Sequence, residues 1–291
     1  MKKQILSLLH EAGLSRYAER FEPLIRPSFR IFTHPVDEES LSLGTSKIGG
    51  CPDLPAGTPW PYWKSYPLSF LGQINLAELP PFPEKILPER GLLLFFFAAA
   101  AMFDDDEFYH SVEKAKVLFV AETDSADLKR TAPPNELDDY DPPVRFSPCS
   151  LDYRVEWTVP PAESSDIEQL GMSWNKNRDY FDRYWEQFRK RVWEQLLHPD
   201  DMKNRLLGCP DQIQGDMQHE CQLMAYPSTD RNDKAALLRQ AVRWRLLFQV
   251  DSEEEKTGMM WGDIGRLYFW IEQEALERAD FSLVVCIDQY H

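Results

Sequence analysis

Gly50-Cys51-Pro52-Asp53 with Gly57, and Gly208-Cys209-Pro210-Asp211 with Gly215, write one signature twice in a chain of 291 residues. Five matched positions at about one in twenty each, over the ~4 × 10⁴ possible pairings, come to about one per cent by chance, before the rarity of Cys and Pro is counted. The order downstream repeats as well. Phe70-Leu71-Gly72-Gln73-Ile74-Asn75 answers to Leu247-Phe248-Gln249-Val250-Asp251, with Gln73 over Gln249, and a glycine (Gly91, Gly265) then opens an apolar run in each case. Val117 to Ala121 and Leu283 to Ile287 close the two segments as last strands. We therefore read an internal duplication: a helical lead over 1–27, a first half over 28–150 and a second over 151–291. No linker is long enough to demand independent domains, so the halves share one core about a pseudo-twofold axis.

Around the first signature, residues 44–61 hold four prolines and four glycines, which excludes a regular helix or a central strand and predicts a rigid loop pinned by Trp60, Tyr62 and Trp63. Strand patterns occupy 28–33, 68–76, 91–98, 116–122 and 151–159, then 243–250, 265–271 and 281–288. The run at 91–98 is apolar on both faces and reads as a central strand. Helical periodicity covers the first 25 residues, with Ser15 placed to cap a second turn, and 166–198, where Tyr180, Tyr184, Trp185, Phe188, Val192, Leu196 and Leu197 recur by three and four. Shorter helices are predicted at 232–242 and 272–278, with acidic Asp104-Asp105-Asp106-Glu107 between strands and a proline-rich connector over 131–148. The fold class is α+β: an extended, mostly antiparallel sheet with helices packed on it.

Composition narrows the function. Apolar residues make 43% and charged ones 27% of the chain, as in globular proteins, and nine Trp and seventeen Phe supply heavy core filling. Forty-eight acidic against 32 basic side chains give a net charge of −16, which argues against nucleic acid and against an anionic membrane surface. No apolar run reaches the roughly 20 residues that span a bilayer. The N-terminal stretch begins like a signal peptide, but His10 and Glu11 interrupt it and no small-residue cleavage site follows. Five scattered cysteines read as reduced thiols, so the expected location is the cytoplasm.

The residues with chemical potential are the repeated ones. Cys51 and Cys209, with His219-Glu220-Cys221 beyond, could build a thiolate–imidazole or metal site, but no CxxC or HExxH spacing is present and small buried Cys is the commoner use. Asp53 and Asp211 could pair as carboxylates sharing a proton, while Pro-Asp-x-x-x-Gly is equally a turn whose Asp accepts backbone N–H groups. Gln73 and Gln249, inside apolar strands, need partners: a ligand, or the proline-rich loops they would tie to the sheet. In each case the architectural reading outweighs the catalytic one. Acidic clusters at 104–107, 136–141 and 251–255 lack the spacing of a twelve-residue calcium loop, and no phosphate-binding glycine loop or Gly-x-Ser-x-Gly elbow occurs.

The run Ser46-Lys47-Ile48-Gly49-Gly50-Cys51-Pro52-Asp53-Leu54-Pro55, with Trp60-Pro61 and Leu68 to Leu76, resembles the YwqG-like family of bacterial proteins of unknown function. Leu207 to Met217 is similar to that family's second motif, with Cys209 where the family has Tyr and Gln212 where it often has Pro. The resemblance spans roughly 28–291 and implies an α+β fold with extensive sheet, but no catalytic residue. Some relatives are similar to immunity proteins encoded beside secreted toxins.

Together these readings predict a non-catalytic protein-binding module for a basic protein partner, without cofactor or metal. Cys51, Asp53, Trp60, Gln73, Cys209, Asp211, His219 and Gln249 are its candidate binding residues. The alternative is an enzyme or small-molecule binder with its site in a cleft between the halves.

Overall fold

The computed structural model describes residues 1–102, 105, 107–121, 127–197 and 202–291. The chain opens with α1 (Lys2–Glu11), which buries Ile5, Leu8 and Leu9 on one face. Gly13 turns it at φ +73°, and a 3₁₀ turn leads into α2 (Ala18–Phe21). The long strand β1 (Arg26–Pro35) follows, then the short strands β2 (Lys47–Ile48), β3 (Asp53–Pro55), β4 (Tyr62–Trp63) and β5 (Tyr66–Pro67). Next come β6 (Ser69–Asn75), β7 (Leu92–Phe97), β8 (Ala115–Val120), β9 (Leu128–Arg130) and the long β10 (Cys149–Thr158).

A helical stretch comes next: α3 (Ser165–Leu170), α4 (Arg178–Asp182), a π-helical segment Arg183–Arg189 and α5 (Lys190–Leu196). Strand β11 (Asn204–Leu206), helices α6 (Met217–Ala225) and α7 (Lys234–Ala241), and strand β12 (Trp244–Asp251) continue the chain. It ends with α8 (Glu254–Thr257), β13 (Arg266–Glu272), α9 (Gln273–Glu277) and β14 (Val284–Gln289).

Ten strands form one sheet in the order β14-β13-β12-β11-β1-β10-β2-β6-β7-β8. Every pairing in it is antiparallel. At its middle β1 and β10 pair over ten residues, from Arg26 opposite Thr158 to Pro35 opposite Cys149. Outward from this ribbon each side runs through a short strand and three longer ones. Each side also carries one bulge, at Leu71 in β6 and at Leu247 in β12, where the register slips by a residue. The extra twist of a bulge bends the sheet. The two edges, β8 and β14, come close enough for Lys114 Nζ to meet Asp288 Oδ1 at 2.9 Å, with both side chains almost fully buried. The sheet is thus a nearly closed barrel.

The barrel interior is aromatic. Phe95 lies 4.4 Å from Phe248 and 5.4 Å from Phe269, ring centre to ring centre, and all three are fully buried. A second apolar cluster joins α1 and α2 to the helical layer, through Leu9, Phe21, Tyr184, Phe188 and Val192. A third seats α6 on the outer face of β12–β14, through Met217, Cys221, Trp244 and Trp270.

Several expectations are corrected. The helical run over 166–198 is broken between Gly171, a left-handed C-cap at φ +83°, and Asn177, whose side chain caps α4. Ser15 caps nothing; its hydroxyl bonds His10 Nδ1 at 2.7 Å, and Leu14 begins the turn. Lys47–Ile48 is a strand in the middle of the sheet despite its glycine-rich setting, because the prolines and all of the glycines but Gly44 lie after it and two residues suffice to bridge β10 and β6. Helix α6 went unpredicted. Asp104, Asp106, residue 122 of the predicted strand and His198 lie outside the described residues. Among the described residues no helix is long and apolar enough to cross a membrane.

Phe95→Ala would empty the contact between the two sides of the barrel. Chemical denaturation should record a loss of about 3–5 kcal/mol, at the upper range for core aromatics; a loss below about 1 kcal/mol would mean that this contact does not organise the barrel.

Candidate functional site

The predicted residues assemble into two similar clasps. In the first, Asp53 donates its backbone N–H to Gln73 Oε1 at 2.9 Å, and Gln73 Nε2 donates to Asp53 Oδ2 and to the Thr45 carbonyl, each at 2.8 Å. Arg130 Nε holds Asp53 Oδ1 at 3.0 Å, and the fully buried Lys47 ammonium stands 3.6 Å from the same atom and 2.9 Å from Glu38 Oε1. Glu38 also accepts the Cys51 N–H at 2.7 Å. In the second, Asp211 donates its N–H to Gln249 Oε1 at 2.9 Å, and Gln249 Nε2 donates to Asp211 Oδ2 at 3.1 Å and to the Lys203 carbonyl. Arg205 Nε donates to Asp211 Oδ2 at 2.8 Å, while Tyr268 Oη and Arg266 donate to its carbonyl. The Cys209 N–H goes to Thr158 Oγ1 at 2.8 Å.

Backbone geometry supports both clasps. Gly49 (φ +68°) sends its N–H to the bulged Leu71 carbonyl at 2.8 Å; Leu207 (φ +62°) sends its own to the bulged Leu247 carbonyl at 2.9 Å. A β-carbon on Gly208 would stand 2.6 Å from Ser28 Cβ, so only glycine fits against β1. Leu207 accepts a left-handed conformation that an ordinary side chain disfavours, held there by the surrounding pairing.

These groups serve structure. The strands flanking the aspartates, β2 and β11, are separated by β10 and β1, so Asp53 and Asp211 do not form a shared-proton pair. Burial alone would raise the Asp211 carboxyl, but Arg205, Arg30, Arg266 and Lys203 hold it down to about 2. Burial, joined by Glu38, raises the Cys51 thiol; burial raises Cys209, Cys221 and Cys286 too and pushes Cys149 up to about 11. All five thiols are free and protonated at neutral pH, so none is a ready nucleophile. His219 lies on α6 with Nδ1 3.3 Å from Asp216 Oδ2, whereas Cys209 Sγ faces the Leu24 carbonyl at 3.8 Å, so the imagined Cys209–His219 pair does not form. Trp60 donates Nε1–H to the Leu68 carbonyl at 3.0 Å and meets Phe96 edge-on, pinning its loop. Among the described residues no group of three or more His, Cys, Asp or Glu is placed to hold a metal.

An open groove lies beside the second clasp. Residues 212–214 form one wall and the α4–π-helix segment the other, around a cavity of about 450 Å³ lined by Trp174, Phe181 and Trp185 with Glu163, Glu186 and Arg189. A neighbouring hollow of about 380 Å³ shares Ala162, Glu163, Trp174 and Phe181 and reaches Asp216 and His219. Trp174 is 47% and Trp185 46% exposed. Arg178 stacks 3.1 Å from the Trp174 ring centre and Arg189 5.4 Å from that of Trp185. The sequence reading put Trp185 on the buried stripe; it is corrected, because Tyr184, Phe188 and Val192 form that stripe and Trp185, the residue after Tyr184, stands off it and is 46% exposed. The sequence offered no signal for either tryptophan, since Tyr, Trp and Phe in close succession fit more than one stripe.

Two outcomes test the clasp. A carboxyl depressed in the folded state contributes stability above its unfolded value, near 3.8, and loses it as pH falls toward about 2. Urea unfolding at stepped pH should therefore show Asp211 supplying about 2 kcal/mol that fades between those values. Asp211→Asn should flatten this limb while costing about 3–5 kcal/mol at neutral pH, since the buried Arg205 loses its closest carboxylate and keeps only Glu156 at 3.9 Å. Second, a thiol reagent on the native protein should label only the partly exposed Cys51, slowly, and all five after denaturation; rapid labelling of Cys209 would overturn the assignment.

No curated protein sequence matches the chain. A family described as a domain of unknown function, DUF1963, matches residues 46–289, a span that contains the second clasp, the groove and the first clasp apart from Glu38 and the Thr45 carbonyl, and the chain belongs to that family.

Proposed function

We propose that the protein is a non-catalytic binding module for a basic protein partner, built from two copies of one unit over 28–150 and 151–291 behind a helical lead over 1–27. The observation that carries this reading is how the side chains are spent. The repeated Asp, Gln and Arg or Lys residues are consumed by the internal clasps and the thiols are protonated, while a surplus of 16 carboxylates remains on the chain. Opposite charge speeds association and favours a basic partner over others. The duplication is supported by the paired strand order, the matching bulges at Leu71 and Leu247 and the two glutamine–aspartate clasps. YwqG-like kinship would suit the same role, and an immunity-type protein neutralising a basic toxin is one form of it. Work in a reducing cytoplasm agrees with the free thiols.

The rival, a reaction in a cleft between the halves, draws no support from the barrel interior, which Phe95, Phe248 and Phe269 fill.

Recovery of the tagged protein from its own host under native conditions, followed by mass spectrometry, tests the reading. A stoichiometric basic protein that is released by high salt is expected, and replacing all five cysteines by alanine or serine should leave its recovery intact. A protein carrying a retained metabolite and no partner would overturn it.

A further inference from the structure

We infer that the groove beside the second clasp seats a cationic polypeptide segment of the partner, with an Arg or Lys side chain standing against Trp174 and Trp185; this rests on the basic-partner reading. The indoles are the first reason. Two tryptophans nearly half exposed in one groove form an apolar surface that a free monomer ordinarily limits, and Trp and Arg are the residues that anchor interfaces. Their surroundings already display the intended contact. The chain's own Arg178 and Arg189 guanidinium groups lie over these two rings, so the π faces are oriented toward cations.

Charge and hydrogen-bonding capacity then select the occupant. Glu163 and Glu186 line the groove exposed and without an ion-pair partner among the described residues. Gln212 Nε2 donates to the Glu163 carbonyl and Gln214 Nε2 to the Tyr290 carbonyl, which uses one N–H of each amide and leaves the amide oxygens as acceptors. An acceptor-rich wall calls for a ligand with donors only, which is what Lys and Arg side chains are. Two arginines interrupt this wall: Arg178 is paired with Asp182, and Arg189, which has no carboxylate partner among the described residues, presents its guanidinium to a backbone carbonyl of the incoming chain. The adjoining hollow prolongs the groove past Trp174 to Asp216, which fits an extended segment better than a single small cation.

The π-helical turn Arg183–Arg189 supplies the geometry. Its wider backbone brings Trp185, Glu186 and Arg189 to the groove while Tyr184 and Phe188 stay in the core, and such turns recur at functional sites.

Fluorescein-labelled nona-arginine, titrated into the full chain at low and high salt with anisotropy as the readout, tests the inference. Binding that weakens with salt is expected. Trp174→Ala with Trp185→Ala should weaken it about 10-fold or more. Glu163→Gln with Glu186→Gln should weaken it about 3- to 10-fold without touching the core, which keeps the test decisive if the tryptophan variant folds poorly. Glu136→Gln with Asp139→Asn, in the exposed 136–141 cluster, should leave binding unchanged. Binding that ignores both groove variants overturns the groove and leaves the basic-partner reading standing. Absence of nona-arginine binding at low salt overturns both.

Discussion

A glutamine side chain inside an apolar strand is the constraint on which the rest of this structure depends. Gln73 and Gln249 are fully buried, and each must satisfy an amide oxygen and an amide nitrogen away from water. Each does so by receiving the backbone N–H of an aspartate and returning a hydrogen bond to its carboxylate. That exchange obliges a carboxylate to be buried, and the carboxylate obliges a cation: Arg130 and Lys47 in one place, Arg205 in the other. Such assemblies add little net stability over apolar packing, yet losing one member leaves an unpaired buried charge. Their physical effect is to fix position. The loop after β2 and the loop after β11 can sit on the sheet in only one way.

From that fixed geometry the barrel follows. The left-handed residues at Gly49 and Leu207 aim their N–H groups at the bulged Leu71 and Leu247 carbonyls, and the bulges bend both wings of the sheet toward each other. Phe95, Phe248 and Phe269 meet inside, and Lys114 joins Asp288 across the remaining gap. The outer faces are then left to helices. Cover by α6 on β12–β14, and by the α1–π-helix layer further along, satisfies the apolar faces these strands present. The groove lies where the helical layer meets residues 212–214. It is shaped by segments added between strands, on a scaffold the clasps make rigid, which is the common division between a framework and the loops that carry recognition.

Period and punctuation in the sequence determined much of this. The alternating and doubly apolar runs placed β6, β7, β12 and β13 within a residue or two, since strand pairing depends on local pattern. Gln73 over Gln249 was legible as a tie because a polar residue in a buried strand must find a partner nearby, whereas Asp53 and Asp211 read only as turn residues. The tertiary structure alone decided who those partners are. Arg130 reaches Asp53 from 77 residues away, and Lys114 reaches Asp288 from 174, distances at which sequence carries no pairing signal. It also decided that Trp185 faces outward. A helical repeat with Tyr, Trp and Phe in close succession fits more than one stripe, and the choice falls to what α1 buries against it. The groove exists only because that choice was made in three dimensions.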